Sequence, residues 1–388
     1  MLHVLLLPSF YSDPDKPVLG SFFKDQAQAL RKAGLTVGVA YVEPRRLRAI
    51  RISRLRENHG QITSGEEDGL RTMRLHGWNP LLQYFPGGIV WSFATRLLVR
   101  RYIRTYGRPD LIHAHNAHWA GFAAYQISGE LGIPYVITEH SSRLLMGVIP
   151  QLLAMIARRA YRRASEVLVV SKAAGNALEK LLCGKKLRVI PNCVNTDFFT
   201  PPNVTSSSRD FVFLTVAHLS PNKGIDILLR AFAARFRGDP GVSLRIGGDG
   251  PIKEDLIALC RRLSIAHKVQ FLGALSRTEV RGEMWSANAF VLASFRETFG
   301  VVLIEALATG LPVIATRSGG PEDIVSDEVG ILVKPGHVDE LSQAMQQLRN
   351  NPRPTRRGLH DWTSNRYSEA VLASALQDIY AGVPQTAI

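Results

Sequence analysis

The chain has 388 residues, 46% of them hydrophobic and 21% charged, which is enough for two ordinary domains with sizeable cores and excludes a disordered, fibrous or disulfide-stapled protein. Three cysteines, Cys183, Cys193 and Cys260, make no CxxC pair, which argues for a reducing cytosol and against a structural zinc. The net charge of +14 is one-sided: residues 1–200 carry 27 Lys+Arg against 14 Asp+Glu and residues 201–388 carry 20 against 19, so the first half suits an anionic membrane face, an anionic acceptor or nucleic acid.

The opening run MLHVLLLPSF lacks a basic start and a small-residue cleavage site, so it reads as a buried strand over 2–8 and not as a signal peptide. Asp13-Pro14-Asp15 matches a DxD metal–diphosphate motif over three letters only, and such matches are common by chance. Gly20 stands before a helical periodicity over 21–33. Strands are expected at 35–42, 70–75, 110–114, 134–138, 166–170 and 187–190, with a helix over 119–131. The segment LIHAHNAHWAGF, 111–122, holds His113, His115 and His118. Three histidines invite a metal reading, but no Asp, Glu or Cys stands nearby, and packing and turn hydrogen bonds commonly occupy histidines at a strand's end. His118, and Glu139 and His140 in ITEHSS, fall at the carboxyl edge of a sheet, where open α/β domains bind ligands. The apolar stretch 144–157 is interrupted by Pro150 and Gln151 and is too short to span a bilayer.

The segment TDFFTPPNVTSSSRD, 196–210, is rich in Pro, Ser and Asn and precedes a fresh strand, which marks a linker. Strands at 211–217, 242–247, 268–272, 289–293, 312–315 and 330–333 follow, with helices over 224–236, 252–264 and 299–309 between them. The alternation predicts two doubly wound parallel-sheet domains, 1–195 and 210–365, joined by 196–209, with a C-terminal helix at about 366–388 packing back on the first domain. In FLTVAHLSPNKGIDILLRAF a strand runs through a polar turn to Lys223-Gly224 and a helix; a lysine there can reach a phosphate while the backbone approaches closely, although Walker A spacing is absent. IGGDGP, 246–251, is not GxGxxG, yet Gly247, Gly248 and Gly250 imply close backbone approach.

The run ASFRETFGVVLIEALATGLPVIAT, 293–316, is the most informative. Glu297 and Glu305 stand eight positions apart, Thr298 is the expected N-cap, Phe299-Gly300-Val301 opens a helix and Gly310-Leu311-Pro312 closes it. At 1.5 Å rise per residue the two carboxyls are roughly 12 Å apart. Free N–H groups and the positive end of the helix favour a phosphate between them. A nucleotide-sugar has that layout of hydroxyls, diphosphate and hydroxyls.

Taken in order, GSFFKDQAQAL, HAHNAHWAG, ITEHSS, VIPNCVNTDFF, VAHLSPNKGIDILL, IGGDGP, RETFGVVLIEALATGLPVIA and SGGPEDIV resemble glycosyltransferase family 4, retaining enzymes of GT-B fold with two Rossmann-like domains facing a cleft. The resemblance implies that Glu297 holds donor-sugar hydroxyls near the anomeric carbon and Glu305 the ribose. Lys223 would neutralise the diphosphate with backbone N–H groups of Phe299, Gly300 and Val301, while Gly20 and Gly248 allow close approach. Leu272 would open the segment lining the base, and His118 would contact the sugar near the reaction centre. Glu139, His140 and Arg143 would face the acceptor. No cofactor and no metal are implied. Two departures stand out. His218 occupies the place of the family's usual arginine, and an imidazole lacks the fixed charge of a guanidinium. The usual PNGVD turn reads Pro191-Asn192-Cys193-Val194-Asn195.

Two rivals stay open: a nucleotide-sugar 2-epimerase, and a non-catalytic sugar-nucleotide-binding subunit. Nucleic acid is set aside because no recognition module appears. Arginines interleaved with apolar residues in 44–56, 89–106 and 152–163 fit interfacial attachment to an anionic leaflet. The expected acceptor is therefore a lipid-linked or membrane-presented glycan of a bacterial envelope, met by a cytoplasmic protein at the inner face of the plasma membrane.

Overall fold

In the computed structural model, which describes residues 1–11, 20–45, 59–79, 85–141, 150–182, 184–203, 210–351 and 354–384, the apolar runs of the first half form one sheet. Its strands are β1 (His3–Leu7), β2 (Thr36–Arg45), β3 (Ile62–Glu67), β4 (Leu70–Trp78), β5 (Leu111–His115), β6 (Tyr135–Glu139), β7 (Glu166–Val169) and β8 (Leu187–Val189), in the order β3-β4-β2-β1-β5-β6-β7-β8. All neighbours are parallel except β3 and β4. The helices between them are α1 (Ser21–Lys32), α2 (Phe85–Tyr106), α3 (Phe122–Leu131), α4 (Gln151–Arg163) and α5 (Lys172–Leu182). Asp13-Pro14-Asp15 lies outside the described residues.

Parallel connections are right-handed, so α2, α3 and α4, which step the chain one way from β4 to β7, share a face, and α1, stepping the other way, covers the opposite one. Helix α2 packs on α3 and α3 on α4. Ile112, Ala114 and Ile137 point into that layer with Tyr135 and Tyr161, all buried. Strand β3 was not expected from sequence. Its residues ITSGEE are mostly exposed, so no apolar alternation marks it. The signal was the Asp68-Gly69 pair, whose φ values of 49° and 78° make the two-residue primed turn that joins antiparallel strands.

The second half builds β9 (Phe211–Val216), β10 (Val242–Gly247), β11 (Val269–Gly273), β12 (Ala289–Leu292), β13 (Val313–Thr316) and β14 (Gly330–Val333), all parallel, in the order β11-β10-β9-β12-β13-β14. Helices α6 (Ile225–Phe236), α7 (Lys253–Arg262), α8 (Arg277–Ser286), α9 (Val301–Ala308), α10 (Pro321–Ile324), α11 (Val338–Asn350) and α12 (Arg356–Tyr367) surround it. Phe213, Phe232 and Phe236 form an aromatic centre with almost no exposed surface. A final helix, α13 (Glu369–Ala381), packs against α1.

The chain divides into two compact units, Met1–Pro191 with Glu369–Ile388, and Asn192–Ser368. The boundary falls four residues before the expected Asn195. Residues 196–203 belong to the second unit and are not a free connection: Phe199 is fully buried, Arg281 lies 4.3 Å over the Phe198 ring, and Trp285 Nε1 donates to Thr200 O at 2.6 Å. Helix α13 is tied to the first unit by a Lys32–Glu369 ion pair and by Gln377 donating to Ala33 O at 3.2 Å.

Candidate functional site

In the second sheet the strand order reverses between β9 and β12, and such a switch point leaves a crevice at the strands' carboxyl ends. Lys223 follows β9 there and Glu297 follows β12. Lys223 ends a 3-10 turn, Pro221–Lys223, closed by Gly224 at φ 60°. A Cβ on Gly224 would stand 2.2 Å from Ala293 O, so the two loops touch backbone to backbone. Phe295 N–H donates to Asn222 O at 2.8 Å, and Asn222 Nδ2 to Arg296 O at 2.9 Å. The result is that Lys223 Nζ donates to Glu297 Oε2 at 2.7 Å, and Ser294 Oγ donates to the same oxygen at 3.2 Å. Both Lys223 and Glu297 are partly exposed.

Glu297 is not the residue before a helix. It bridges Gly319, its N–H donating to Ser318 O at 2.9 Å and its carbonyl accepting Gly320 N–H at 2.8 Å. The N-cap of α9 is Gly300, at φ 96°, and not Thr298, which is buried. Only the steps from Val301 to Glu305 are therefore helical, and the rise expected across all eight positions applies to half of them. Phe299 turns its ring into the core beside Tyr367, leaving only its backbone for a ligand. Glu305 is half-buried in the second turn of α9. His218 is exposed on the turn after β9, and Leu272 is half-buried near the end of β11. Gly248 approaches the chain itself: a Cβ there would lie 1.9 Å from Ala217 O, so its tight backbone holds two loops together.

The first sheet reverses between β1 and β5, and Gly20 and His118 follow those two strands. Gly20, at φ 73°, caps α1 and lies against Phe10 O. His118 sits half-buried in a kinked, non-helical turn with φ −77°, ψ 133°, between Asn116 at φ 71°, ψ 137° and Trp119 at φ 71°, ψ −69°. Trp119 has the positive-φ γ-turn geometry, which is rare and strained. Non-glycine residues so placed cost about 1–3 kcal/mol each and cluster at functional sites.

Glu139, expected to face an acceptor, is instead 1% exposed. Its carboxyl accepts from Ala117 N–H at 2.9 Å, Ser141 N–H at 2.9 Å and Tyr161 O–H at 2.6 Å, which commits it to the chain's own loops. His140 packs on Phe22 and Phe23 and pairs through Nε2 with His115 Nδ1 at 3.1 Å. Arg143 lies outside the described residues. His113 and His115 are fully buried, His113 meeting Tyr380 Oη at 2.6 Å and Thr138 Oγ1 at 2.7 Å. Among the described residues no group of three or more His, Cys, Asp and Glu could hold a metal ion.

Burial pushes His113 from an ordinary 6.5 down to about 3 and lowers His115 and His140 as well. Between those values the unfolded chain binds a proton that the folded one excludes, so stability is full above about pH 6.5 and is lost as pH falls. At pH 5 His113 alone costs roughly 2 kcal/mol. The urea midpoint should fall from pH 7 to pH 5, and the His113 imidazole should not titrate by NMR in that range. A His113 resonance titrating near pH 6.5 would contradict the buried cluster.

Among solved structures, sucrose-phosphate synthase from Thermosynechococcus elongatus superposes with a TM-score of 0.77 at 20% identity over 98% of both chains. HepE of Anabaena, in complex with UDP, gives 0.74 at 21% identity over 98% of this chain and 100% of that one. Two parallel-sheet α/β domains with these neighbours show the GT-B fold. Residues 19–198 match Glycosyltransferase Family 4 and residues 199–366 match Glycosyl transferases group 1, so the chain belongs to glycosyltransferase family 4. It is 28% identical to a putative teichuronic acid biosynthesis glycosyltransferase of Bacillus subtilis over the full length of both chains. It is 27% identical to a human phosphatidylinositol N-acetylglucosaminyltransferase subunit over 79% of this chain and 65% of that one.

Proposed function

We propose that the protein moves a sugar from a nucleoside diphosphate sugar to a hydroxyl of a glycan or lipid-linked acceptor, retaining the anomeric configuration and using no divalent metal or other cofactor. The observation that carries this reading is the Lys223–Glu297 pair at the switch point beside the head of α9. Lys223 and the first N–H groups of that helix offer positive charge to a leaving diphosphate, the role a metal plays elsewhere. Glu297 takes donor-sugar hydroxyls, Glu305 the ribose, and His118 contacts the donor sugar near the reaction centre. Front-face attack by the acceptor hydroxyl is favoured over a covalent intermediate, since no enzymic nucleophile is evident among the described residues.

Incubation with uridine, guanosine and adenosine diphosphate sugars should release nucleoside diphosphate, undiminished by EDTA, and the product anomer should match the donor by NMR. Loss of transfer on chelation, restored by Mg2+ or Mn2+, would overturn the metal-free mechanism. Binding of nucleotide without any turnover would favour the non-catalytic subunit, the reading that His218 motivates.

The acceptor is proposed to be presented by an anionic membrane at its inner face. No helix among the described residues is long and apolar enough to cross a bilayer. Helix α2 buries Trp91 and Leu98 but exposes Ile89, Val90, Phe93 and Leu97. Helix α4 exposes Leu152 and Met155. Each continues into arginines, Arg100, Arg101 and Arg104 on one and Arg158, Arg159, Arg162 and Arg163 on the other, and neither contains an acidic residue. Glu130 offsets Arg96 and Arg100. Most of the 44–56 segment lies outside the described residues. Apolar anchors beside cations, at roughly 1 kcal/mol per Lys or Arg near the surface, support reversible docking. Sedimentation with anionic liposomes should recover the protein at low salt, fail at high salt, and fail for Phe93→Glu/Met155→Glu. Equal recovery in the supernatant with and without anionic vesicles would leave a soluble acceptor.

A further inference from the structure

We infer that Glu139, with Tyr161, is a positioning residue for transfer: its buried carboxyl clamps the strained turn that presents His118. The inference rests on the role proposed for His118. Glu139 is the last residue of β6, beside the end of β5 from which the turn departs. Its Oε2 takes the N–H of Ala117, the residue immediately before His118, and the hydroxyl of Tyr161 from α4, while Oε1 takes Ser141 N–H. Asn116, on the other side of Ala117, accepts His140 N–H through Oδ1 at 3.0 Å and donates its own N–H to Thr138 O at 2.8 Å. Beyond His118, the Trp119 ring lies so close to α2 that a Cβ on Gly88 would stand 1.9 Å from it. Three elements, β6, α2 and, through Glu139, α4, thus converge on the four residues 116–119.

A carboxyl at 1% exposure is a costly way to fill space, and an apolar side chain would fill it without the desolvation penalty. What the carboxyl supplies and a leucine cannot is an acceptor for an amide that the departing turn leaves unpaired. Positive φ at both Asn116 and Trp119 persists only where the surroundings over-determine it, and the Glu139 contact is the one that fixes the peptide next to His118. Burial, and then Glu139 itself, hold the Tyr161 hydroxyl protonated well above the ordinary range, so it remains a donor to that oxygen at any working pH.

The test compares Glu139→Gln, Tyr161→Phe, His118→Ala and the double variant Glu139→Gln/His118→Ala. Glutamine keeps the length but must turn an N–H2 group toward at least one of the three donors, or toward two if it takes the place of Oε2. We expect kcat to fall about tenfold or more in Glu139→Gln and less in Tyr161→Phe, with donor KM moving less than about threefold and both variants folded by circular dichroism. Because Glu139 acts through His118, the double variant should be no more than about twofold slower than His118→Ala. Losses that multiply would mean that Glu139 serves packing alone and would overturn the inference. His118→Ala slow with Glu139→Gln at the wild-type rate overturns it too, and leaves the role of His118 intact. His118→Ala at the wild-type rate overturns both. Amide hydrogen exchange over 116–121 reads the clamp without any substrate: exchange should quicken about tenfold or more in both single Glu139 and Tyr161 variants, and unchanged exchange refutes the clamp.

Discussion

Glu297→Gln is expected to remove at least nine-tenths of sugar transfer while the protein stays folded. The backbone of Glu297 is held by its bridge to Gly319, which does not depend on the side chain, so the residue keeps its place. What changes is the group offered there. In the protein without donor, the Oε2 atom satisfies Lys223 and Ser294. An amide carries no charge to balance Lys223 and, in one of its two orientations, turns an N–H2 toward it. When the donor sugar is bound, the variant loses a hydrogen bond to a charged group, worth about 1.5–3 kcal/mol, which is tenfold or more in rate. Turnover measured as nucleoside diphosphate release checks the value, and near-normal kcat in a folded variant would move the site elsewhere.

The parallel sheets and the strand-to-helix turns that carry Lys223 and Glu297 were legible because each depends on pattern over many residues. Buried strands are apolar runs, and βα turns carry glycine next to a polar residue. What stayed hidden depends on contacts distant in sequence. Nothing in the letters ITEHSS says that Glu139 turns inward to an amide 22 positions earlier, since a strand-end glutamate is usually solvated. Nor do Asn116 and Trp119 announce positive φ, because asparagine adopts it only occasionally and tryptophan rarely. Thr298 is a good N-cap by residue type, but the bridge to Gly319 holds the residue before it, the chain bends at Thr298, and Gly300 caps the helix. The glycines of IGGDGP show close approach correctly, yet for Gly248 the partner is the chain's own Ala217. The Ser- and Pro-rich composition of 196–210 reads as a linker only until Phe198 and Phe199 are seen to anchor its first residues.

Lys223→Ala is expected to weaken nucleoside diphosphate binding by tenfold or more, and by more than the loss of one contact accounts for. Removing the ammonium deletes an attraction for the diphosphate, and it also strips Glu297 of the cation 2.7 Å away. The carboxyl left behind then repels the same phosphates. Restoring neutrality should therefore recover part of the loss: Lys223→Ala/Glu297→Gln should bind nucleoside diphosphate more tightly than Lys223→Ala alone, a coupling expected of neighbours that share one ligand. His218 gives little compensation, because an imidazole makes one hydrogen bond where a guanidinium makes two and adds a fixed charge. Since His218 is exposed on the turn that leads to Lys223, His218→Arg needs no rearrangement of the core and should tighten binding. Calorimetric titration of the four proteins with uridine, guanosine and adenosine diphosphates measures each step. Dissociation constants unchanged in Lys223→Ala and in His218→Arg would show that this turn does not face the diphosphate. A double variant no better than Lys223→Ala would show that Glu297 lies too far from the phosphates for its charge to matter.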